Sequence, residues 1–334
     1  MIPHPAPTCQ TNNWRKALSQ AVRDPAELLK LLALPPELLP AAQQAAAQFP
    51  LRVPRSYVAR MQKGNPADPL LRQVLPLGEE LVAADGFSVD PVGDLEAMMI
   101  PGLLHKYKGR VLLITTAACG VHCRYCFRRH FPYSEANAAT MDWQPAVHYI
   151  AADPSIHEVI LSGGDPLSQS DQRLAQLVAQ LAAIPHLKRL RLHTRQVIVL
   201  PERVDAELLG WLEACRLQTV VVVHANHGNE ISHEVTTALL RLKETGVTLL
   251  NQAVLLQGVN DDVQVLKALS ERLFAAQVLP YYLHQLDRVQ GAQHFEVSDT
   301  QALKLVHELR TRLPGYLVPR LVREQVGKQA KIPL

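Results

Sequence analysis

The sequence predicts an α/β protein built on a partial (βα)6 barrel of the TIM type, with an N-terminal helical segment ahead of it and a short C-terminal tail. Three observations carry that prediction. Beyond Lys108, short apolar runs alternate with amphipathic stretches; polar groups gather just past each apolar run; and Cys119, Cys123 and Cys126 stand together after the first run. At 334 residues with 48% hydrophobic content, the chain has ample material for one large core.

Residues 13 to about 50 read as short helices. Asp24-Pro25 opens one with a cap followed by proline, Pro35-Pro36 punctuates, and Glu37 to Gln48 is rich in alanine and leucine. From Phe49 to about Tyr107, prolines, glycines and mixed polarity predict a wrapping segment with a short helix near Pro54 to Gln62. This sets the first division at 1–107.

The barrel is predicted over 108–313. Its strands read as Val111–Thr116, Glu158–Ser162, Arg189–His193, Thr219–His224, Thr248–Leu255 and Pro280–Gln285. Helical stretches fall near Gln144–Ala152, Gln169–Ala183, Asp205–Ala214, His233–Thr245, Asp262–Gln277 and Thr300–Leu313. Six such units imply parallel strands joined by crossovers. The pattern fits a doubly wound sheet as well as a barrel; six units suit three-quarters of the eight-stranded form. Residues 314–334 form the tail.

Composition narrows the function classes. A net charge of +3 with dispersed basic residues does not point to nucleic acid. Five cysteines, three of them bunched, do not resemble a disulfide framework, and a reducing cytoplasm fits them. Met1-Ile2-Pro3-His4-Pro5 lacks the pattern of a signal peptide, and apolar stretches such as Thr219 to Val223 are strand-sized, so no membrane association is expected.

The C-x3-C-x2-C spacing places three thiolates on one short loop, close enough to share an iron–sulfur cluster. A cubane has four irons and full ligation takes four cysteines. Cys9 and Cys215 lie far off in unrelated contexts. With three ligands, one iron keeps a site for a small molecule. A zinc site completed by His122 or His130 satisfies the same spacing.

Ser162-Gly163-Gly164-Asp165-Pro166 follows the second strand, where paired glycines let backbone approach a ligand, or where Asp165 simply caps a turn. Arg128 and Arg129 follow the last cysteine; a guanidinium fork there suits a carboxylate. Arg195 has a similar claim. The segment ending at Leu334 carries Lys328 and Lys331, which read either as a frayed basic tail or as a Schiff-base lysine for an aldehyde cofactor such as pyridoxal phosphate.

Together, Cys-x3-Cys-x2-Cys-Phe-Arg-Arg, Ser-Gly-Gly-Asp-Pro-Leu, Leu-His-Thr-Arg, His-Ala-Asn-His-Gly-Asn-Glu-Ile, Asn-Gln-Ala-Val-Leu-Leu-Gln-Gly-Val-Asn-Asp and Pro-Tyr-Tyr-Leu-His-Gln-Leu-Asp resemble the lysine 2,3-aminomutase family of radical S-adenosylmethionine enzymes. The similarity runs from about Asn13 to the last residue. Within the family it looks most like the bacterial branch that makes (R)-β-lysine for elongation factor P; the stop just after Lys331 fits that branch, since clostridial-type relatives continue into a zinc-binding tail.

The resemblance implies a [4Fe–4S] cluster on Cys119, Cys123 and Cys126, and S-adenosylmethionine on Gly163, Gly164, Asp165 and Arg195. It implies pyridoxal phosphate on Lys331, making 314–334 a cofactor-binding tail, with Lys328 as the alternative. Arg128 is implied to grip the carboxylate of L-lysine, and Asp287 and Glu324 its far ammonium. Glu324 departs from the family aspartate, and its longer side chain would shift that amine. The implied partners are a reductant such as flavodoxin or ferredoxin, and elongation factor P with its lysyl-transferring ligase; a homo-oligomer is compatible. Two rivals remain at this stage: a radical S-adenosylmethionine reaction on another substrate, without pyridoxal phosphate, and a zinc-binding protein of the translation machinery.

Overall fold

The structure, a computed structural model, describes residues 13–134 and 143–334; Cys9 lies outside the described residues. Ten strands form one sheet in strict chain order: β1 (Met98–Ile100), β2 (Leu103–Tyr107), β3 (Arg110–Thr116), β4 (Glu158–Gly163), β5 (Arg189–Thr194), β6 (Gln218–Val223), β7 (Thr248–Val254), β8 (Leu279–His284), β9 (Arg320–Arg323) and β10 (Ile332–Pro333). From β3 to β9 every neighbour is parallel, whereas β1–β2, β2–β3 and β9–β10 are antiparallel.

This order settles the choice left open by the sequence. A doubly wound sheet reverses its strand order at a switch point, and no reversal occurs here. Crossovers of one hand laid in sequence put all the helices on one face and curl the sheet toward a barrel. The end strands β1 and β10 do not pair with each other, so the barrel is open.

The crossover helices lie at Gln144–Ala152, Asp171–Ala182, Ala206–Glu213, His233–Glu244, Val263–Ala275 and Asp299–Arg310, close to their expected spans. Five of them begin at a side chain that accepts an N–H of the first turn: Ser170, Asp205, Ser232, Asp262 and Ser298. Their inward faces, including Leu174, Leu177, Leu208, Leu239 and Leu273, pack on Val159, Leu161, Leu190, Val221 and Leu249 of the sheet in a single core. No helix among the described residues is long and apolar enough to cross a membrane.

Two features differ from expectation. A seventh parallel strand, β9, pairs with β8 through Tyr282↔Arg320 and His284↔Val322. The tail read from composition as a possible frayed end instead closes a hairpin, with Ile332 opposite Arg323. The sheet therefore runs through both expected boundaries, at 107/108 through β2–β3 and at 313/314 through β8–β9.

The N-terminal segment builds a second core from Trp14, Leu28, Val53, Tyr57, Leu70, Leu71 and Val74, which closes over Val121, Val199 and Leu200 of the barrel. Glu80 anchors this segment to the cysteine loop. Its carboxylate takes Arg124 Nε at 2.8 Å and Nη2 at 2.6 Å, and Arg129 Nη2 at 2.8 Å, all deeply buried. Truncating Glu80 would strand two buried cations. Glu80→Ala is expected to cost about 3–5 kcal/mol in a urea titration.

Candidate active site

The site lies at the C-terminal ends of the parallel strands. Past β3, the cysteine loop is tied to the N-terminal segment by backbone: the His122 N–H donates to Arg52 O (2.9 Å) and the Arg124 N–H to Gln73 O (2.9 Å). His122 also stacks on Phe49 and bonds Pro50 O through Nδ1 at 2.8 Å. Residues 13–107 thus do more than cover the barrel; they form one wall of the loop.

Cys119, Cys123 and Cys126 are free thiols. Burial raises Cys119 far above the usual thiol range and Cys126 to about 11, and repulsion among the three sulfurs adds to both. Three thiolates here need a cationic centre to compensate them, as iron supplies. The donor set fits a cluster.

Gly163 and Gly164 close the turn after β4. A Cβ at Gly164 would collide with Ala118 O, and one at Gly163, whose φ is +121°, would lie 2.7 Å from Thr116 O. The Gly164 N–H donates to Thr116 O at 2.7 Å and Gly163 O accepts from Tyr133 Oη at 2.8 Å. The close approach that needs glycine is therefore to the root of the cysteine loop.

Asp165 turns inward. Its carboxylate accepts from Thr194 Oγ1 (2.8 Å) and from the N–H groups of Leu167 (3.0 Å), Arg195 (2.7 Å) and Gln196 (3.0 Å). Burial raises its pKa against the pull of those donors. This geometry makes Asp165 a pin between the β4 and β5 loops. Arg195 points at the cysteines, with Nη1 3.1 Å from Cys123 Sγ.

A chain of alternating charges starts at Arg128, two residues past Cys126. Arg128 Nε meets Asp94 at 2.6 Å, Asp94 meets Lys106 at 2.5 Å, Lys106 meets Glu324 at 3.1 Å, and Glu324 meets Lys331 Nζ at 2.6 Å. The hairpin register explains the last contact: with Ile332 opposite Arg323, Lys331 falls opposite Glu324. Lys328, by contrast, is exposed in the turn. Burial would raise Glu324, but Lys331 and Lys106 outweigh it and hold the carboxyl at about 2. Asp287 faces the same cations and acids; burial raises it to about 7, with Lys331 opposing and Glu324 reinforcing the shift.

Inside the barrel, burial depresses His193 and His284 far below the ordinary imidazole value and His224 to about 3, so all three rings are neutral. Among the described residues His193 Nε2 and His284 Nε2 are buried with no hydrogen-bond partner. The charge of Lys331 adds to the lowering of both rings. Unpaired buried ring nitrogens and a lysine amine suit a polar aldehyde cofactor.

Asp94, Lys106, Gln73 and Glu230 were not found from sequence. Asp94 and Gln73 sit in irregular stretches with no periodicity, and nothing local marks them. Glu230 lay inside a quoted motif, His-Ala-Asn-His-Gly-Asn-Glu-Ile, without a role.

A family model described as a 4Fe–4S single cluster domain matches residues 108–194, which include all three loop cysteines. L-lysine 2,3-aminomutase of Escherichia coli (strain K12) is 51% identical over 328 residues, spanning 98% of this chain and 96% of that one. The chain belongs to the lysine 2,3-aminomutase family. The Haemophilus influenzae relative of that name is 49% identical over 96% of this chain and 95% of its own. The Clostridium subterminale relative is 35% identical over 97% of this chain and 78% of its own. A radical SAM methyltransferase from Sphaerobacter thermophilus superposes on 66% of this chain and 68% of its own, at TM-score 0.46 and 15% identity. As a family member the protein is an isomerase that works with a [4Fe–4S] cluster and S-adenosylmethionine.

Gly164→Ala tests the packing of the turn on the loop. The added methyl must push Ala118, and overpacking of this kind costs about 1–3 kcal/mol. The expected outcome is a lower melting temperature together with fewer irons per chain after anaerobic reconstitution.

Proposed function

We propose that this chain is an L-lysine 2,3-aminomutase that converts L-α-lysine to (R)-β-lysine, with Cys119, Cys123 and Cys126 holding the cluster and Lys331 holding pyridoxal phosphate. The observation that carries the reading is the charge chain from Arg128 to Lys331, with Asp287 beside it. It offers, in one buried space, a guanidinium for a carboxylate, an amine for an aldehyde and two acids for a distant ammonium. Free lysine carries the matching carboxylate and ammonium.

Arg128 is held by Asp94 and Ser162 Oγ (3.3 Å), and Phe127 and Phe131 flank its guanidinium. Asp94 keeps that fork oriented while a substrate carboxylate adds to its free edge. Pyridoxal phosphate, when bound, supplies an aldehyde for amines and a π-system that delocalises an unpaired electron. Engaging Lys331 in that chemistry removes a cation from Glu324 and leaves its carboxylate, with Asp287, for the substrate ammonium. The neutral histidines keep further positive charge out of the space, and burial excludes water from it.

S-adenosylmethionine fits the rim formed by Gly163, Gly164 and the β5 loop, beside the cysteines. The same reading places the enzyme in the cytoplasm, reduced by flavodoxin or ferredoxin and supplying β-lysine to the ligase that modifies elongation factor P. Residues 1–107, 108–313 and 314–334 then serve as wall, barrel and cofactor tail.

The deciding experiment is anaerobic turnover of L-lysine by the reconstituted protein with S-adenosylmethionine, pyridoxal phosphate and a reductant, with chiral analysis of the product. (R)-β-lysine is expected; no β-lysine, or the other enantiomer, rejects the reading or its branch. Lys331→Ala is expected to lose turnover by at least a hundredfold and to lose the cofactor's visible absorption, whereas Lys328→Ala keeps both.

Lysine affinity also carries a pH signature. Asp287 must be ionised to hold an ammonium, and its carboxyl titrates at about 7 while Glu324, at about 2, stays charged. Affinity should therefore weaken as pH falls below 7, approaching about tenfold per unit as the competent fraction shrinks. In Asp287→Asn, calorimetry should find weaker binding without that slope.

A further inference from the structure

Arg195, implied from the sequence to meet S-adenosylmethionine, also holds a central place in the protein's own hydrogen-bond network. Its side chain is 5% exposed. Nη1 donates to Cys123 Sγ at 3.1 Å and to the Tyr125 hydroxyl. Nη2 donates to Gln73 Oε1 at 2.7 Å, Tyr57 Oη at 3.2 Å and Glu230 Oε2 at 3.2 Å. The partners are themselves fixed: Asn226 Nδ2 donates to Gln73 Oε1 at 2.9 Å and to Tyr125 Oη at 2.7 Å, and Glu230 accepts from the N–H groups of Asn226 (2.8 Å) and His227 (3.0 Å). The N-terminal segment, the cysteine loop, β5 and the turn after β6 meet at this one side chain.

We infer that Arg195 is a positioning residue that donates a charge-assisted hydrogen bond to the cluster ligand Cys123 and raises the reduction potential of the cluster, with Glu230 setting how much of its charge the cluster feels. The inference rests on the cluster reading of the three cysteines. Reduction brings one electron from an external one-electron donor into the cluster; no bond breaks and no proton moves. The added negative charge sits beside a buried guanidinium, where little water screens the attraction. Hydrogen bonds to the sulfurs are among the levers that set such potentials. Glu230 stands on the far fork of Arg195, so the cation faces the sulfur and the anion lies behind it.

The experiment is an EPR-monitored redox titration of the reconstituted full-length chain, without substrate, using dithionite and mediators. In Arg195→Gln, the ratio of reduced to oxidised cluster at a fixed potential should fall about tenfold, equivalent to about 59 mV for one electron. In Glu230→Gln the ratio should rise, because the cation is less compensated. Arg195→Lys, which keeps the charge, should stay nearer wild type than Arg195→Gln. Opposite shifts in the Gln variants support the inference; unchanged ratios, or shifts in one direction, overturn it. If Arg195→Gln holds no iron, a fall or no change in Glu230→Gln overturns it and a rise supports it. Iron and sulfide analysis of wild type separates the two claims: a chain without a cluster defeats the cofactor reading before any potential is read.

Discussion

Four donors converge on the buried carboxylate of Asp165, and the geometry of the site follows from that convergence. Its own N–H donates to Ala118 O at 2.8 Å, at the root of the cysteine loop. Its oxygens take the backbone of Arg195 and Gln196, which fixes where the Arg195 side chain leaves the barrel. One acid thus sets the distance between the ends of β3, β4 and β5. The glycines before it allow the approach, since no Cβ fits between β4 and the loop. Removing the negative charge would leave several buried donors unmatched at once, which is the costly direction for a hydrogen-bond network.

Much of the barrel was legible because its signals are local. Apolar runs such as Val220 to Val223 state a strand, and amphipathic stretches such as His233 to Thr245 a helix, within a few residues. Order along the sheet was not, because periodicity in one segment says nothing about which strand lies beside it. The short strands β1, β9 and β10 escaped for another reason: each has four residues or fewer, too few to show alternation. β9 is Arg320-Leu321-Val322-Arg323, which read equally well as loop. Its pairing is a property of the assembled sheet.

The site divides the same way. The cysteines, the glycine pair and Lys331 were found through spacing or resemblance, and both kinds of signal live in short stretches. Asp94 and Lys106 were missed because their importance comes from meeting Arg128 and Glu324 across long sequence separations. Asp165 was found for its position, yet its carboxylate is turned into the protein. Arg195 was found within a motif, while its bonds to a cysteine, a glutamine, a glutamate and two tyrosines come from four separate parts of the chain.

The closing hairpin gives the C-terminus a parity. Side chains on paired strands alternate faces, so a slip of one residue moves an entire strand to the other side. Lys331 meets Glu324 only while Ile332 stays opposite Arg323. The six residues between can change in kind, but a single insertion that shifted this register would turn the amine away from the barrel interior. The contact between Lys331 and Glu324 is thus guarded by counting as much as by composition.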